Sequence, residues 1–260
     1  MMWKRRAVFW VSSTESYVEH ARESVDYIAP HMPDLERILF APIEVKPGKH
    51  FHRTFVGPPL KGPHWYVDSV RYFNFALETL REEKDGLMYL DSDAYVLMPI
   101  PECFDMLERF DIVGSIGPGR ITVPTIEEMP DCFCEFEIGV LLFNTSDATR
   151  DLFADWLHLY ENNYGVYGPS DQGPLREAMW RAGRGLSIGT MQSEYQCRWG
   201  FGVYAWGKIR VLHGRDSRWV NPTNPSITDI ERILNAKLGA RIWSPRDPRW
   251  DEGVRGTMKR

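Results

Sequence analysis

The sequence predicts an α/β fold built around a largely parallel sheet, on two observations. Short apolar runs bounded by turn residues recur along the chain, as at residues 7–11 and Gly86–Leu90, and predict buried strands. Longer segments with apolar residues at helical spacing separate them, as in Glu15–Ile28 and residues 66–84. Such alternation is typical of a parallel sheet covered by helices.

The same patterns place the elements in order. We expect strands at residues 7–11, 37–41, 86–90, 94–98, 111–115, 138–143 and 209–212. We expect helices at residues 15–28, 66–84, 102–109 and 147–163, from Asp171 onward, and at residues 228–238. A proline-rich loop fills residues 42–65. The irregular residues 117–134 form either a flap over a site or an ordinary surface loop.

Length and composition indicate one ordinary globular domain. The chain has 260 residues, of which 43% are hydrophobic and 26% charged, enough for a sizeable core. We expect residues 1–220 to form this domain. Residues 221–260 would add a C-terminal helix and a basic, aromatic tail, packed on the domain or trailing from it. The net charge of −5 lacks the basic excess of nucleic-acid-binding proteins.

The sequence also indicates a cellular location. No apolar stretch reaches transmembrane length, and the apolar segment after the basic N-terminus is too short for a signal peptide. The four cysteines match no zinc pattern and favour free thiols in a reducing compartment. We therefore expect a cytoplasmic protein, with peripheral attachment to a membrane through the tail left open.

Asp91 and Asp93, separated by Ser92, follow directly after the strand Gly86–Leu90. Side chains at positions i and i+2 of an extended chain point the same way. Two hard oxygen ligands that converge in this manner suit Mg²⁺ or Mn²⁺, with a bound phosphate completing the coordination. The alternative is a solvated turn without a ligand.

These carboxylates are expected at the edge of the sheet where ligands bind. In open α/β sheets that edge lies beyond the carboxyl ends of the strands, where Ser12–Thr14 and His213 would also fall. No glycine-rich dinucleotide or phosphate loop follows the first strand. The sequence therefore argues against NAD and against an ATP site of the kinase type.

Four motifs in fixed order carry a resemblance to a known family. They are Leu-Asp-Ser-Asp at residues 90–93, Glu-Ile-Gly-Val-Leu-Leu-Phe-Asn at 137–144, Ser-Asp-Gln at 170–172 and Val-Leu-His-Gly-Arg at 211–215. This order resembles the GT-A fold glycosyltransferases, particularly the retaining group that includes glycogenin and the bacterial lipopolysaccharide galactosyltransferases. The resemblance covers about residues 7–215. It implies a GT-A, Rossmann-like fold with a mixed, mostly parallel sheet flanked by helices.

The chain departs from the family pattern at two places. Glu137-Ile138 stands where the family has Asn before Gly-Val. His213-Gly214-Arg215 is a reduced form of the family's His-x-x-Gly followed by Lys-Pro-Trp. Both regions touch the donor sugar and its diphosphate in the family.

The resemblance implies a metal site and a nucleotide-sugar site. Asp91, Asp93 and His213 would hold the metal, and this mixture of carboxylate and imidazole suits Mn²⁺ somewhat better than Mg²⁺. Ser92, Gly214 and Arg215 would contact the donor, with Arg215 on its phosphates. The alternatives are a hydrogen-bonded core histidine for His213 and a surface salt bridge for Arg215.

The catalytic residues implied by the resemblance are Asp171, Gln172 and Glu137. Asp171 would bind sugar hydroxyls, and Gln172 would lie beside the anomeric centre. Glu137 would stabilise an oxocarbenium-like transition state, or act as nucleophile or base. The alternatives are a helix cap for Asp171 and a solvated strand-end charge for Glu137.

Further residues are implied at the nucleotide and the acceptor. Ser12, Ser13 and Thr14 would hold the base and ribose, or simply cap the first helix. Tyr17 would stack on the base or pack the helix against the sheet. Arg71 would reach the nucleotide or form an exposed charge. Trp199 would stack on a sugar or pack in the core.

Together these features predict a metal-dependent glycosyltransferase. It would move a sugar from a nucleoside-diphosphate donor, with a UDP-sugar favoured, to an acceptor hydroxyl on a glycan, a lipid-linked or a small molecule, with retention. A sugar-phosphate nucleotidyltransferase is one alternative, but Ser12–Glu15 supplies no glycine-rich, basic phosphate loop. A catalytically inactive carbohydrate- or nucleotide-binding module is the other.

Overall fold

The computed structural model describes residues 5–117, 126–198, 203–214, 227–236, 238–239 and 241–243. The strands are β1 (Arg6–Val11), β2 (Glu36–Ala41), β3 (Arg53–Val56), β4 (Gly86–Leu90), β5 (Ala94–Val96), β6 (Ile112–Ile116), β7 (Phe136–Asn144), β8 (Ile188–Met191), β9 (Cys197–Arg198), β10 (Val203–Ala205), β11 (Val211–His213) and β12 (Arg241–Trp243). The helices are α1 (Glu15–Ile28), α2 (Trp65–Leu80), α3 (Glu102–Asp105), α4 (Asp147–Asn162), α5 (Tyr164–Tyr167), α6 (Gln172–Ala182) and α7 (Ile227–Asn235).

A seven-stranded sheet forms the centre of the molecule, in the order β3-β2-β1-β4-β7-β6-β8. Strand β7 runs antiparallel to both of its neighbours, and the other pairs are parallel. This arrangement confirms the α/β prediction of a mixed, mostly parallel sheet. It also brings the carboxyl ends of β1 and β4 to the same edge, which is where a ligand site is expected.

The core lies on both faces of this sheet because β4 is apolar at every position and β1 is apolar from Ala7 to Val11. Side chains alternate between faces, so that Phe9 of β1 joins the cluster under α2, α4 and α6, whereas Trp10 joins the cluster under α1 and α3. Trp10 also satisfies its buried indole N–H by donating to Ser24 Oγ of α1 at 3.0 Å. A strand buried on both faces is the structure that a continuous apolar run predicts.

A second, three-stranded sheet lies beside the ligand edge, in the order β5-β11-β9. Strand β11 is antiparallel to β5 and parallel to β9. The sequence predicts residues 94–98 as a strand but does not indicate that β5 leaves the main sheet for this small one. Strands β3 and β8 are edge strands of the main sheet that the pattern did not predict, β3 because prolines surround it.

The C-terminal segment contacts the same body. Leu234 of α7 is buried in a cluster with Tyr95, Ala205 and Leu212. The rest of the predicted tail, from residue 244 onward, lies outside the described residues. Residues 118–125, which belong to the irregular segment predicted as a flap or a surface loop, also lie outside them. Across the described part of the chain, no helix combines the length and the apolar character needed to cross a membrane.

Candidate active site

Three side chains that could hold a metal ion converge at the carboxyl end of β4. Asp91 follows the strand directly, and its N–H donates to Gly139 O of β7 at 2.9 Å. In the small sheet, His213 pairs opposite Ala94, and Gly214 N donates to Asp93 O at 3.0 Å. This register places His213 Nε2 at 3.1 Å from Asp91 Oδ2 and 3.5 Å from Asp93 Oδ1.

The donor set fits a divalent cation. Ligand atoms of Asp91, Asp93 and His213 all lie within 4.8 Å of one another. Two hard carboxylates and one borderline imidazole suit Mn²⁺ or Mg²⁺. Burial disfavours the imidazolium, but hydrogen bonds to Asp91 and Asp93 outweigh it and raise the pKa of His213 to about 10. Burial likewise opposes ionisation of Asp93, yet the His213 hydrogen bond and charge lower the pKa of that carboxyl.

Gly139 of β7 makes room for His213. A Cβ added at Gly139 would lie 2.1 Å from His213 Cε1 and 2.4 Å from Nδ1, closer than any packed carbon atoms can approach. The imidazole therefore packs directly on the backbone of Gly139, and a side chain at position 139 would require the ring or the strand to move. Sequence reasoning noted the Gly-Val motif but missed this role.

Two further side chains hold the triad in place. Tyr89 donates from its hydroxyl to Asp91 Oδ1 at 2.5 Å. The buried Gln196 amide lies against the other side of the imidazole, with Nε2 3.4 Å from His213 Nδ1. Partners of this kind fix the orientation of metal-ligating side chains.

A cavity of about 170 Å³ opens beside the triad. Its walls come from the start of α2, the end of β4, the start of β7, the start of α6, and strands β9 and β11 of the small sheet. The lining residues are Trp65, Tyr66, Ser69, Tyr89, Asp91, Glu137, Ile138, Gly139, Pro169, Ser170, Asp171, Gln172, Arg198 and His213. The predicted catalytic and metal-binding segments thus meet at one concave site.

Glu137 lies in the cavity wall within a buried polar cluster. Its Oε2 accepts from Arg198 Nη1 at 2.7 Å and from Gln172 Nε2 at 3.3 Å. Burial disfavours the charge of Arg198, but Glu137 and Asp91 outweigh it and raise the pKa of the guanidinium. Glu137 is therefore a paired, buried carboxylate rather than a solvated strand-end charge.

Asp171 lies at the start of α6 and lines the same cavity. Its side chain makes no hydrogen bond that caps the helix, so the capping alternative is wrong. Burial, together with the negative charges of Asp91 and Glu137, raises the pKa of Asp171 to about 7. A carboxyl group with a strongly shifted pKa in a cleft is a common property of functional sites.

Solved glycosyltransferase structures share this architecture. GlyE from Streptococcus pneumoniae TIGR4 superposes with a TM-score of 0.59 at 14% identity, over 90% of this chain and 60% of that one. The galactosyltransferase LgtC, solved with donor and acceptor sugar analogs, superposes with a TM-score of 0.53 at 16% identity, over 89% of this chain and 96% of that one. The chain has the GT-A glycosyltransferase fold.

The GT-A fold confirms the resemblance that the four motifs indicated. At the level of sequence alone, no protein-family model and no curated protein matches the chain. The chain spans 60% of the length of the GlyE structure and nearly all of the LgtC structure.

The residues predicted after β1 stand outside the cavity wall of this GT-A domain. Thr14 caps α1, because its Oγ1 accepts from Tyr17 N at 3.4 Å. Ser12 is buried and donates from Oγ to Tyr17 O at 3.2 Å, Ser13 is half-buried, and Tyr17 is exposed. Their role at the nucleotide stays a prediction.

Arg71 is also held away from the cavity. Its guanidinium donates to Glu161 Oε1 at 2.8 Å from Nε and pairs with the buried Asp68. Ser92 is half-buried in the turn between β4 and β5. Trp199 and Arg215 lie outside the described residues, so their roles remain predictions.

Arg198 and Tyr66 are among the lining residues that the sequence did not indicate as part of a site. Arg198 immediately precedes the predicted Trp199, and pairing of β9 with β11 places it opposite His213. Tyr66 lies in the first turn of α2, where the pKa of its hydroxyl is raised by burial and by Asp171. Only the long-range pairing of the small sheet could have indicated Arg198.

Proposed function

We propose that the protein is a metal-dependent glycosyltransferase. It moves a sugar from a nucleoside-diphosphate donor to an acceptor hydroxyl of a glycan, a lipid-linked or a small molecule. The observation that carries the proposal is the Asp91, Asp93 and His213 group at the mouth of a cavity in a GT-A fold. UDP is the favoured nucleotide and retention the favoured outcome, because the motif order resembles the retaining group.

The expected role of the cation is to balance the negative charge of the diphosphate. A divalent ion held by Asp91, Asp93 and His213 supplies positive charge for the diphosphate that leaves as the glycosyl bond breaks. Three residues hold these ligands in position. Tyr89 hydrogen-bonds Asp91, Gln196 contacts His213, and Gly139 leaves space for the His213 ring. Mn²⁺ is the favoured ion because an imidazole belongs to the set.

The chain's own residues then position the sugar. Asp171 and Gln172 present polar atoms from the start of α6, and Glu137 presents a carboxylate from β7. A fixed negative charge at this place stabilises the positive charge that develops on the anomeric carbon. Arg198 pairs with that carboxylate and orients it while it is out of water.

The proposal extends to partners and location. The donor is a nucleotide-sugar, and nucleic acid is not a substrate because the chain carries a net charge of −5. We propose a cytoplasmic enzyme, and contact of the basic, aromatic C-terminal tail with a membrane stays an open alternative.

Turnover of a nucleotide sugar tests the function. With UDP-hexoses, an acceptor panel and Mn²⁺, we expect release of UDP that EDTA abolishes. Asp93→Asn keeps the side-chain shape but removes a hard, charged ligand, so we expect a rate reduced at least 100-fold, equivalent to about 2.7 kcal/mol of transition-state stabilisation. The matched control is Asp155→Asn on the exposed face of α4, which should retain the wild-type rate.

Two results would contradict the proposal. Turnover that persists in EDTA would remove the metal from the reaction. Metal-dependent binding of nucleotide sugar without any turnover would identify a binding module instead of an enzyme.

A further inference from the structure

The buried amide of Gln196 lies against the edge of the His213 ring that carries Nδ1. Its Nε2 is 3.4 Å from Nδ1, which is long for a hydrogen bond, and its Oε1 has no hydrogen-bond partner within the part of the chain that the structure describes. Both residues are only 4% exposed, so bulk water does not satisfy these atoms. Buried polar atoms without partners are rare in proteins and call for an explanation.

The backbone on both sides holds Gln196 beside the ring. Strand β9 begins directly after it, and the pairing of β9 with β11 places Arg198 opposite His213. On the other side, Gln196 N donates to Ser193 O at 3.2 Å and closes the turn before the strand. Rotation about the last bond of the side chain is therefore the simplest way to change which end of the amide faces the imidazole.

The nitrogen that would bind a cation determines which end of the amide is needed. His213 directs Nε2 toward the carboxylates, at 3.1 Å from Asp91 Oδ2 and 3.5 Å from Asp93 Oδ1. A coordinating nitrogen offers its lone pair, so the one hydrogen of a neutral imidazole must then lie on Nδ1. Among the described residues, Nδ1 has a hydrogen-bond contact with Gln196 alone. The amide can accept from an N–H there only through Oε1.

We propose that Gln196 is a positioning residue for the candidate metal site, whose Oε1 accepts a hydrogen bond from His213 Nδ1. The inference rests on the metal dependence of the proposed function and adds a determinant of metal affinity beyond the three ligands. Rotation of the amide exchanges Nε2 for Oε1 against the ring and gives the buried oxygen a donor. This hydrogen bond holds the hydrogen on Nδ1 and leaves the lone pair of Nε2 for the cation.

Two substitutions of Gln196 separate an acceptor from a side chain that only fills space. Gln196→Met keeps the side-chain length without the amide acceptor, and Gln196→Glu keeps an acceptor at the same reach. By calorimetric titration we expect Gln196→Met to weaken Mn²⁺ binding about 10- to 100-fold, the usual loss when the partner of a ligating histidine is removed. We expect Gln196→Glu to bind Mn²⁺ at least as tightly as wild type. Circular dichroism checks that both variants fold.

Gln192 provides matched controls, because it is the same residue type in the same segment but is exposed. Gln192→Met and Gln192→Glu should both bind Mn²⁺ as wild type does. Unchanged affinity in Gln192→Glu also shows that an added negative charge in this segment does not by itself tighten the site.

The hydrogen on Nδ1 can be observed directly by NMR of the imidazole nitrogens. Diamagnetic Mg²⁺ replaces Mn²⁺ in this measurement, and loss of signals in His213→Asn assigns the ring. In wild type with Mg²⁺ we expect a hydrogen on Nδ1 that exchanges slowly with water, and in Gln196→Met a faster exchange. Slow exchange requires a hydrogen-bond acceptor, so a side chain that only fills space would not account for it.

Failure of the inference and failure of the proposed function give different results. If wild type binds Mn²⁺ and Gln196→Met binds it equally well, the inference is wrong and the proposed function stands. Equal losses in Gln196→Met and Gln196→Glu would show a packing role and would also overturn it. If Gln196→Met does not fold, rapid exchange of the Nδ1 hydrogen in wild type has the same consequence. If wild type binds neither Mn²⁺ nor Mg²⁺, the metal-dependent function itself fails.

Discussion

At the scale of single residues, Gly139 controls whether the three candidate metal ligands, Asp91, Asp93 and His213, can meet. The His213 ring occupies the space that a side chain at position 139 would need. The strand position itself is ordinary, so the requirement comes from packing across the site and not from backbone conformation. Glycine in a strand interior often marks such a close approach.

We expect Gly139→Ala to displace His213 and weaken Mn²⁺ binding at least tenfold. The added methyl would lie 2.1 Å from the ring, so either the imidazole or β7 must move. Calorimetric titration of Mn²⁺ measures the effect, with thermal melting as the check on folding. Gly165→Ala in α5 is the matched control, because a Cβ there meets nothing within 4 Å. Equal Mn²⁺ affinity in wild type and Gly139→Ala would contradict the packing described for His213.

The raised pKa of Asp171 predicts how the stability of the fold depends on pH. Its pKa is raised to about 7, mainly by burial, from an ordinary value of 3.8. Below pH 4 both the folded and the unfolded chain carry the proton; between pH 4 and 7 only the folded chain does, so this carboxyl makes stability fall as pH rises. Above pH 7 the contribution is constant.

Urea unfolding in EDTA, at one-unit steps from pH 4 to 8, measures this effect. We expect Asp171→Asn to gain stability relative to wild type on the order of 2 to 4 kcal/mol between pH 4 and 7, at about 1.4 kcal/mol per unit of pKa difference. Stability curves for the two proteins that stay parallel over this range would show that Asp171 titrates normally.

At the scale of elements, the Ser-Thr segment after β1 acts first as a helix start. Thr14 caps α1 through Tyr17 N, and Glu15 adds a favourable charge in the first turn. We expect Thr14→Ala to cost about 1 kcal/mol of unfolding free energy and Thr14→Asp to restore it. Denaturant unfolding measures the cost. If Thr14→Ala also weakens UDP binding and Thr14→Asp does not repair that, Thr14 contacts the nucleotide as well.

The elements that the sequence predicts best are those with a strong local pattern. Helix α1 spans the expected Glu15–Ile28 and β4 the expected Gly86–Leu90, because apolar spacing and turn residues mark their ends. Strands β8 and β9 were missed, because each is short and is recognisable only by its partner. Long-range pairing is not encoded in any local window of sequence.

The candidate site shows the same contrast between residues marked by local motifs and residues placed by long-range pairing. Asp91, Asp93 and His213 are marked by motifs at strand ends, and the structure brings all three together. No local sequence motif indicates Arg198. It reaches Glu137 only because β9 pairs with β11 and places Arg198 opposite His213. The ion pair of Arg71 with Glu161, ninety residues away, is equally invisible in the sequence.

At the scale of the whole molecule, the main sheet provides the edge at which the candidate site lies. The small three-stranded sheet packs beside this edge and completes the site. Parallel strands β1 and β4 end at the same edge of the main sheet. Strands β11 and β9 then return to that edge and add His213 and Arg198 to the carboxylates. The candidate metal ligands and the buried Glu137 cluster therefore depend on two sheets that meet at one cavity.

Nucleotide binding measured by thermal shift tests the central claim most directly. UDP, GDP, CDP, TDP and ADP are each titrated with and without Mn²⁺. A ligand at 100 times its dissociation constant adds about 2.7 kcal/mol, which is several degrees for a chain of this size. We expect one nucleotide, with UDP favoured, to raise the melting temperature by this amount only when Mn²⁺ is present. No shift with any nucleotide in Mn²⁺ would contradict a nucleotide-sugar site at Asp91, Asp93 and His213.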